Sequence, residues 1–167
     1  MNYWLMKSEP NAYSLQDLKR DKIEHWDGVR NYQARNFMRD DMEIGDLCLF
    51  YHSNFSPPHV AGVMTVCKKS YPDFTAWDIN DECHFDSRST PEKPLWFMVD
   101  VKFKQEFINS VSLKDIKENK KLENMVTLRK GNRLSITPLS SREFDEICKM
   151  SEIETIDSIK IKNKINK

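Results

Sequence analysis

The stretch WDGVRNYQARNF, residues 26–37, gathers a Trp, a Tyr, a Phe, two Arg, two Asn and a Gln into twelve positions. Aromatic rings offer faces on which a planar ligand stacks. Amide and guanidinium groups offer directed hydrogen bonds to its edge or to a phosphate beside it. That pairing suits a nucleobase, because each stacked base is worth about 1–3 kcal/mol and a nearby Arg strengthens the contact. Trp4, Trp26, Tyr32, Tyr71 and Trp96 are candidate faces, and Asn31, Arg35, Asn36 and Ser53 are candidate donors. The plainer alternative stays open for each ring: Trp and Tyr are commonly buried, and 11% aromatic is an ordinary share.

Other chemistries have thinner support. His52 and His59 stand seven apart across a Pro-Pro turn, and Cys83 and His84 are adjacent, but neither gives the paired spacing of a zinc module, so no metal is expected. His52 and Ser53 are strand neighbours whose side chains point to opposite faces, which keeps them from forming a base and nucleophile pair. Neither GxGxxG nor the Walker pattern occurs, so no cofactor and no catalytic set are expected. An enzyme acting on a modified nucleotide, with Lys7, His52 or Asp73 as acid or base, stands as the alternative, and a small-molecule sensor as a third reading.

Length and composition narrow the classes. A chain of 167 residues suits one domain with a real core. Its 26 basic and 26 acidic side chains exclude affinity built on neutralising many phosphates, so any nucleic-acid contact should be local. Four cysteines without CxxC spacing read as reduced, mostly buried thiols. No secretory signal and no run of ~20 apolar residues is present, which predicts a soluble protein of the cytosol, or of the nucleus in a eukaryote, without a membrane partner.

The elements that would position these groups follow from periodicity. Tyr3–Met6 reads as a strand, stopped at Pro10. Ser14 with Asp17 forms a capping box for a helix turning Leu15 and Leu18 inward. Asp27 and Gly28 make a turn, and Asn31 caps the next helix, which has Ala34, Phe37 and Met38 on one side and Tyr32, Arg35, Asn36 and Arg39 on the other. LCLFYHS is a central strand after a Gly45-Asp46 turn, and VAGVMTVCKKSY a second in which Gly62 marks a bulge or close approach. WFMVDVKF and NRLSITPL are further strands. Ser112 with Asp115 and Ser140 with Glu143 start two more helices, the last turning Phe144, Ile147 and Cys148 inward. Strands outnumber helices, which predicts an α+β domain with a strongly bent sheet or small barrel. Residues 151–167 turn Lys-, Ile- and Asn-rich and read as a frayed or weakly helical tail.

YWLMKSEP, WDGVRNYQARNF, GDLCLFYHSN, YPDFTAWD, WFMVDV and GNRLSITPL, in this order, resemble the EVE domain family through most of residues 1–150. The resemblance implies a PUA-like fold, a small mixed β-barrel with flanking helices, related to the YTH domains that bind methylated adenine in RNA. It also implies a non-catalytic domain whose pocket takes a modified base, with cytosine derivatives in DNA favoured and RNA as the alternative partner; a monomer is expected. Carried over by motif, the pocket is shaped by Lys7 and Ser8, by Trp26 and Asn31, Tyr32, Arg35 and Asn36 of the signature, and by His52 and Ser53. Tyr71, Asp73, Arg133, Leu134 and Ser135 complete its walls or rim. Arg30, Arg35 and Arg39 would supply local cations. On this reading the Trp26 indole is accessible, and its removal leaves the thermal midpoint nearly unchanged. Two features depart from the family pattern: His59 replaces an expected small residue, and the Lys-rich tail lies outside it.

Overall fold

The computed structural model describes residues 1–152. The expectation of a frayed or weakly helical tail falls, from residue 153 onward, outside the described residues. In chain order the elements are β1 (Tyr3–Ser8), α1 (Leu15–Asp21), β2 (Ile23–His25), α2 (Tyr32–Asn36), β3 (Leu47–His52), β4 (His59–Pro72), β5 (Phe97–Ser112), α3 (Leu113–Glu118), β6 (Ile136–Leu139) and α4 (Ser141–Met150). A π-helical turn, Phe37–Asp41, extends α2, and short 3-10 turns lie between the later elements.

The strands form one six-stranded sheet in the order β2-β5-β4-β3-β1-β6. β1 runs parallel to β3 and every other pair is antiparallel. Side-chain alternation sends Tyr3, Leu5, Leu47, Leu49 and Tyr51 to one face, where they meet Phe144, Ile147 and Cys148 of α4. Trp4, Met6, Cys48 and Phe50 go to the other face and pack with Leu15 and Leu18 of α1, Ala34 of α2 and Met38. The α+β class holds. The sheet stays open between β2 and β6 instead of closing into a barrel, because both edge strands are short and helices already cover its two apolar faces.

Both capping boxes predicted for α1 and α4 are present, and Asn31 caps α2 through its side-chain Oδ1, which accepts from the Gln33 and Ala34 amides. At α3 the cap is one-sided: Ser112 Oγ accepts from the Asp115 amide at 3.1 Å. Gly62 sits where the register shifts between β3, β4 and β5. A Cβ there would meet the Gln105 carbonyl oxygen and stand 2.7 Å from Leu15 Cδ2, so the close approach expected of this glycine is real. Three local expectations change. β5 runs well past WFMVDVKF, Asn132–Ser135 precede β6 as a structured turn, and the three-residue β2 was not anticipated. Of the thiols, Cys48 and Cys148 are buried but Cys83 is exposed. Among the described residues no helix is long and apolar enough to cross a membrane.

Candidate functional site

A cavity of about 470 Å³ opens at the C-terminal end of β1. Lys7 and Ser8 form one wall and Ser135, whose carbonyl accepts from the Lys7 amide at 2.8 Å, stands beside them. The end of β2, Glu24 and His25, and the chain that follows it, Trp26, Asp27, Gly28, Val29 and Arg30, form another. Ala12, Tyr13 and His84 close the remaining sides. This volume suits a small planar ligand.

The shape of the β2 wall follows from one buried carboxylate. Asp73 is fully buried and accepts from the Gly28 amide at 3.0 Å, from Arg30 Nη1 at 2.8 Å and from the Thr75 amide at 2.9 Å. Burial alone would raise its pKa, but hydrogen bonds from Arg30 and Thr75, the Arg30 charge and the Gly28 amide together hold it below the usual carboxylate range. Arg30 commits every donor of its guanidinium within the protein. Nε and Nη2 reach the His84 carbonyl at 2.9 and 2.6 Å, Nη1 reaches Asp73 and the Val29 carbonyl, and Nη2 also reaches Thr75 Oγ1 at 3.3 Å. Gly28 takes φ +71°, and a Cβ there would lie 2.6 Å from His84 Nε2, so the imidazole rests directly on its backbone. His84 is itself held by Asp81, Nδ1 to Oδ2 2.8 Å.

Lys7 and Asp27 differ from Arg30 in lacking committed partners. Among the described residues Lys7 makes no ion pair; its Nζ lies 5.9 Å from the Tyr51 ring centroid, and burial lowers its pKa. Asp27 has one long ion pair, 3.9 Å to Nε2 of His25, and burial raises its pKa against the opposing pull of that ring.

Trp26 is only 7% exposed and packs edge-on against Phe50 with ring centroids 5.4 Å apart. It is a core residue that also borders the cavity, so the expectation that its removal spares stability is corrected. Trp4 and Trp96 are buried as well; their indole N–H groups donate to Asp46 at 3.1 Å and Asp86 at 2.9 Å. Neither serves as a free stacking face.

Of the residues singled out in the sequence, the structure brings Lys7, Ser8, Trp26 and Ser135 together at the cavity. Asp73 stands behind it as the anchor just described. The opening lies beside Lys7 and Arg30, not beside Asn31 and Arg35. Asn31 is occupied in capping α2, and Arg35 bonds the Leu95 carbonyl at 2.8 Å and Asn36 Oδ1 at 2.7 Å. Tyr32 stacks on Trp96 at 5.0 Å, with the Arg35 guanidinium 5.0 Å from the Tyr32 ring. His52 Nε2 accepts from the Leu15 amide at 3.1 Å and its Nδ1 faces His59 at 3.2 Å. Burial and His59 lower the pKa of His52. The Ser53 amide donates to the Ser8 carbonyl at 2.9 Å, and the Tyr71 hydroxyl donates to Asp100. Arg133 is exposed and Leu134 half-buried in the turn leading to Ser135.

A larger, more open groove of about 640 Å³ lies between the first residues of the chain, Phe37 and β6. Asp40 and Asp41 line it and no Lys or Arg does, which makes it a poor seat for a polyanion.

An open mixed sheet with a polar, indole-bordered cavity at the end of its parallel pair describes a ligand-binding module. The EVE domain model matches residues 2–150, and the chain belongs to the EVE domain family. It is 41% identical to human thymocyte nuclear protein 1 over 172 residues, which covers 92% of this chain and 75% of the human one. Among solved structures it is similar to a hypothetical protein from Leishmania major, with TM-score 0.86 and 45% identity over 91% of this chain and 95% of the other. It is also similar to human thymocyte nuclear protein 1 in complex with 5-methylcytosine-containing DNA, with TM-score 0.84 and 39% identity over 92% of this chain and 99% of that one.

Proposed function

We propose that this protein is a non-catalytic reader that binds a modified nucleobase, a modified cytosine in DNA, in the cavity bounded by Lys7, Ser8, Trp26 and Ser135. The observation that carries the proposal is the cavity itself: a wall held by Asp73 and Arg30 sets an indole beside Lys7, which makes no ion pair among the described residues, and beside Asp27, whose ion pair with His25 is 3.9 Å long. The human relative solved with 5-methylcytosine DNA supports the choice of ligand.

Turning a base out of a duplex costs a few kcal/mol, which contact with Trp26 and two or three directed hydrogen bonds can offset when the pocket is already shaped. A 5-methyl group buried against an apolar wall adds roughly 0.8 kcal/mol, or about fourfold in affinity. Discrimination by the methyl alone is therefore modest. The balanced charge fits a binder with few phosphate contacts, and the exposed Arg129, Lys130 and Arg133 lie in the turn that leads into Ser135. Among the described residues these three make no ion pair, so they are available to a phosphate backbone.

The test is a fluorescence binding panel of matched oligonucleotides in which one cytosine is varied between unmodified, 5-methyl and 5-hydroxymethyl forms. Unequal affinities with a shallow salt slope support the reading. Equal affinities across the panel contradict it, and mass spectrometry showing turnover of the modified base would overturn its non-catalytic half.

A further inference from the structure

We infer that Lys7 and Asp27 make the cavity selective for a 4-amino pyrimidine over its 4-oxo counterpart, so that 5-methylcytosine is accepted and thymine, which carries the same 5-methyl group, is refused. The inference rests on the base-reading proposal above and names the part of the ligand that is read.

Both residues line the same cavity. A half-buried charge without a partner is costly unless a ligand completes it. The groups that would otherwise have satisfied Asp27 are already engaged: the Gly28 amide and Arg30 bind Asp73, and the remaining Arg30 donors bind the His84 and Val29 carbonyls and Thr75. Among the described residues the ion pair of Asp27 is the 3.9 Å contact with His25, and its other favourable interactions are with its own backbone amide and the charge of His84. Lys7, for its part, has no carboxylate within ion-pair distance among the described residues.

An ammonium only donates and a carboxylate only accepts. Cytosine offers a donor at its 4-amino group and acceptors at N3 and O2, the complement of that pair. Thymine places the acceptor O4 where cytosine has its donor. Set in the cavity in the same pose, thymine would point oxygen lone pairs at the Asp27 carboxylate. The two bases share ring and methyl, so contact with Trp26 and methyl burial cannot separate them. The polar edge alone must do it.

The test uses the full chain and duplexes in which the probed base, 5-methylcytosine or thymine, stands opposite an abasic site, so that neither loses a pairing partner on extrusion. Wild type should prefer 5-methylcytosine by roughly 10- to 100-fold. Asp27→Asn keeps the size of the side chain but can turn an amide donor toward O4. The preference should fall to within about threefold of unity, chiefly through tighter thymine binding, while Lys7→Met weakens 5-methylcytosine. A purely structural role for Asp27 would lower both affinities together and leave their ratio unchanged. Equal wild-type affinities, or an Asp27→Asn ratio equal to the wild-type ratio, would overturn the inference and leave the base reader standing. No wild-type binding of the 5-methylcytosine duplex above an unmodified control would instead sink the base reader itself. Should Asp27→Asn fail to fold, Asp27→Ser gives the same comparison, and the wild-type ratio already decides the first arm.

Discussion

Replacing Asp73 with Ala removes the carboxylate on which the cavity wall is hung. The side chain is fully buried and its partner Arg30 is 21% exposed, so the pair lies in a largely desolvated setting. Deleting one member of such a pair costs about 3–5 kcal/mol, because the other charge is left without compensation. Arg30 retains its bonds to the His84 and Val29 carbonyls and to Thr75, which places the loss at the lower end, about 3 kcal/mol. At roughly 2–4 °C per kcal/mol for a chain of this length, the thermal midpoint should fall by about 6–12 °C. Circular dichroism melts of wild type, Asp73→Ala and Asp73→Asn provide the assay, with Asn losing less because it keeps an acceptor. A pH series adds an independent arm. The pKa of folded Asp73 lies below the ordinary 3.8, so its stabilisation is fully present above that value and is lost as the pH falls through the folded value. The gap between wild type and Asp73→Asn should therefore narrow below about pH 4. A midpoint within about 2 °C of wild type for Asp73→Ala, or a gap that ignores acid, would refute the claim that this carboxylate holds the loop.

Three further outcomes follow from the same geometry. Trp26→Ala should destabilise the protein by about 3–5 kcal/mol in urea unfolding, whereas Trp26→Phe should retain most of the stability and report on ligand contact alone. Gly28→Ala should cost about 1–2 kcal/mol from its left-handed backbone and, by pushing against His84, should also weaken oligonucleotide binding in a fluorescence titration. Lys130→Ala and Arg133→Ala should weaken binding to modified and unmodified DNA alike and each lower the salt slope by about one unit, with thermal midpoints unchanged.

The sequence disclosed the strands and caps wherever a local rule governs them. β1 and β3 stand out as short apolar runs, and Ser14–Asp17 and Ser140–Glu143 are pairs spaced three apart that need no tertiary context. β2 escaped notice because three residues are too few to show a period, although they carry the wall that ends in Trp26. The signature string contains residues that line the cavity, Trp26 to Arg30, but does not say which of its side chains face it. Asn31 and Asp73 are the types that bind ligands, and here both are engaged by backbone amides. The sequence offers Arg30 as a cation for DNA, but apart from the Val29 carbonyl its acceptors are Asp73, Thr75 and His84, all more than forty residues away. His84, weighed in the sequence only as a metal ligand, carries no signal for this cavity, since its place on Gly28 depends on that same long-range bond and on the glycine lacking a Cβ. Asp27 passed as a turn residue until the structure showed how little else it binds.

The indole N–H resonances provide the most direct test, because Trp4, Trp26, Trp77 and Trp96 each contribute one signal that can be assigned by single substitutions to Phe. Titrating the protein with a 5-methylcytosine duplex should shift the Trp26 signal, with the signal of Trp4, whose buried indole N–H is held by Asp46 outside the cavity lining, staying in place. A saturating titration in which the Trp26 signal does not move would contradict the cavity as the seat of the base.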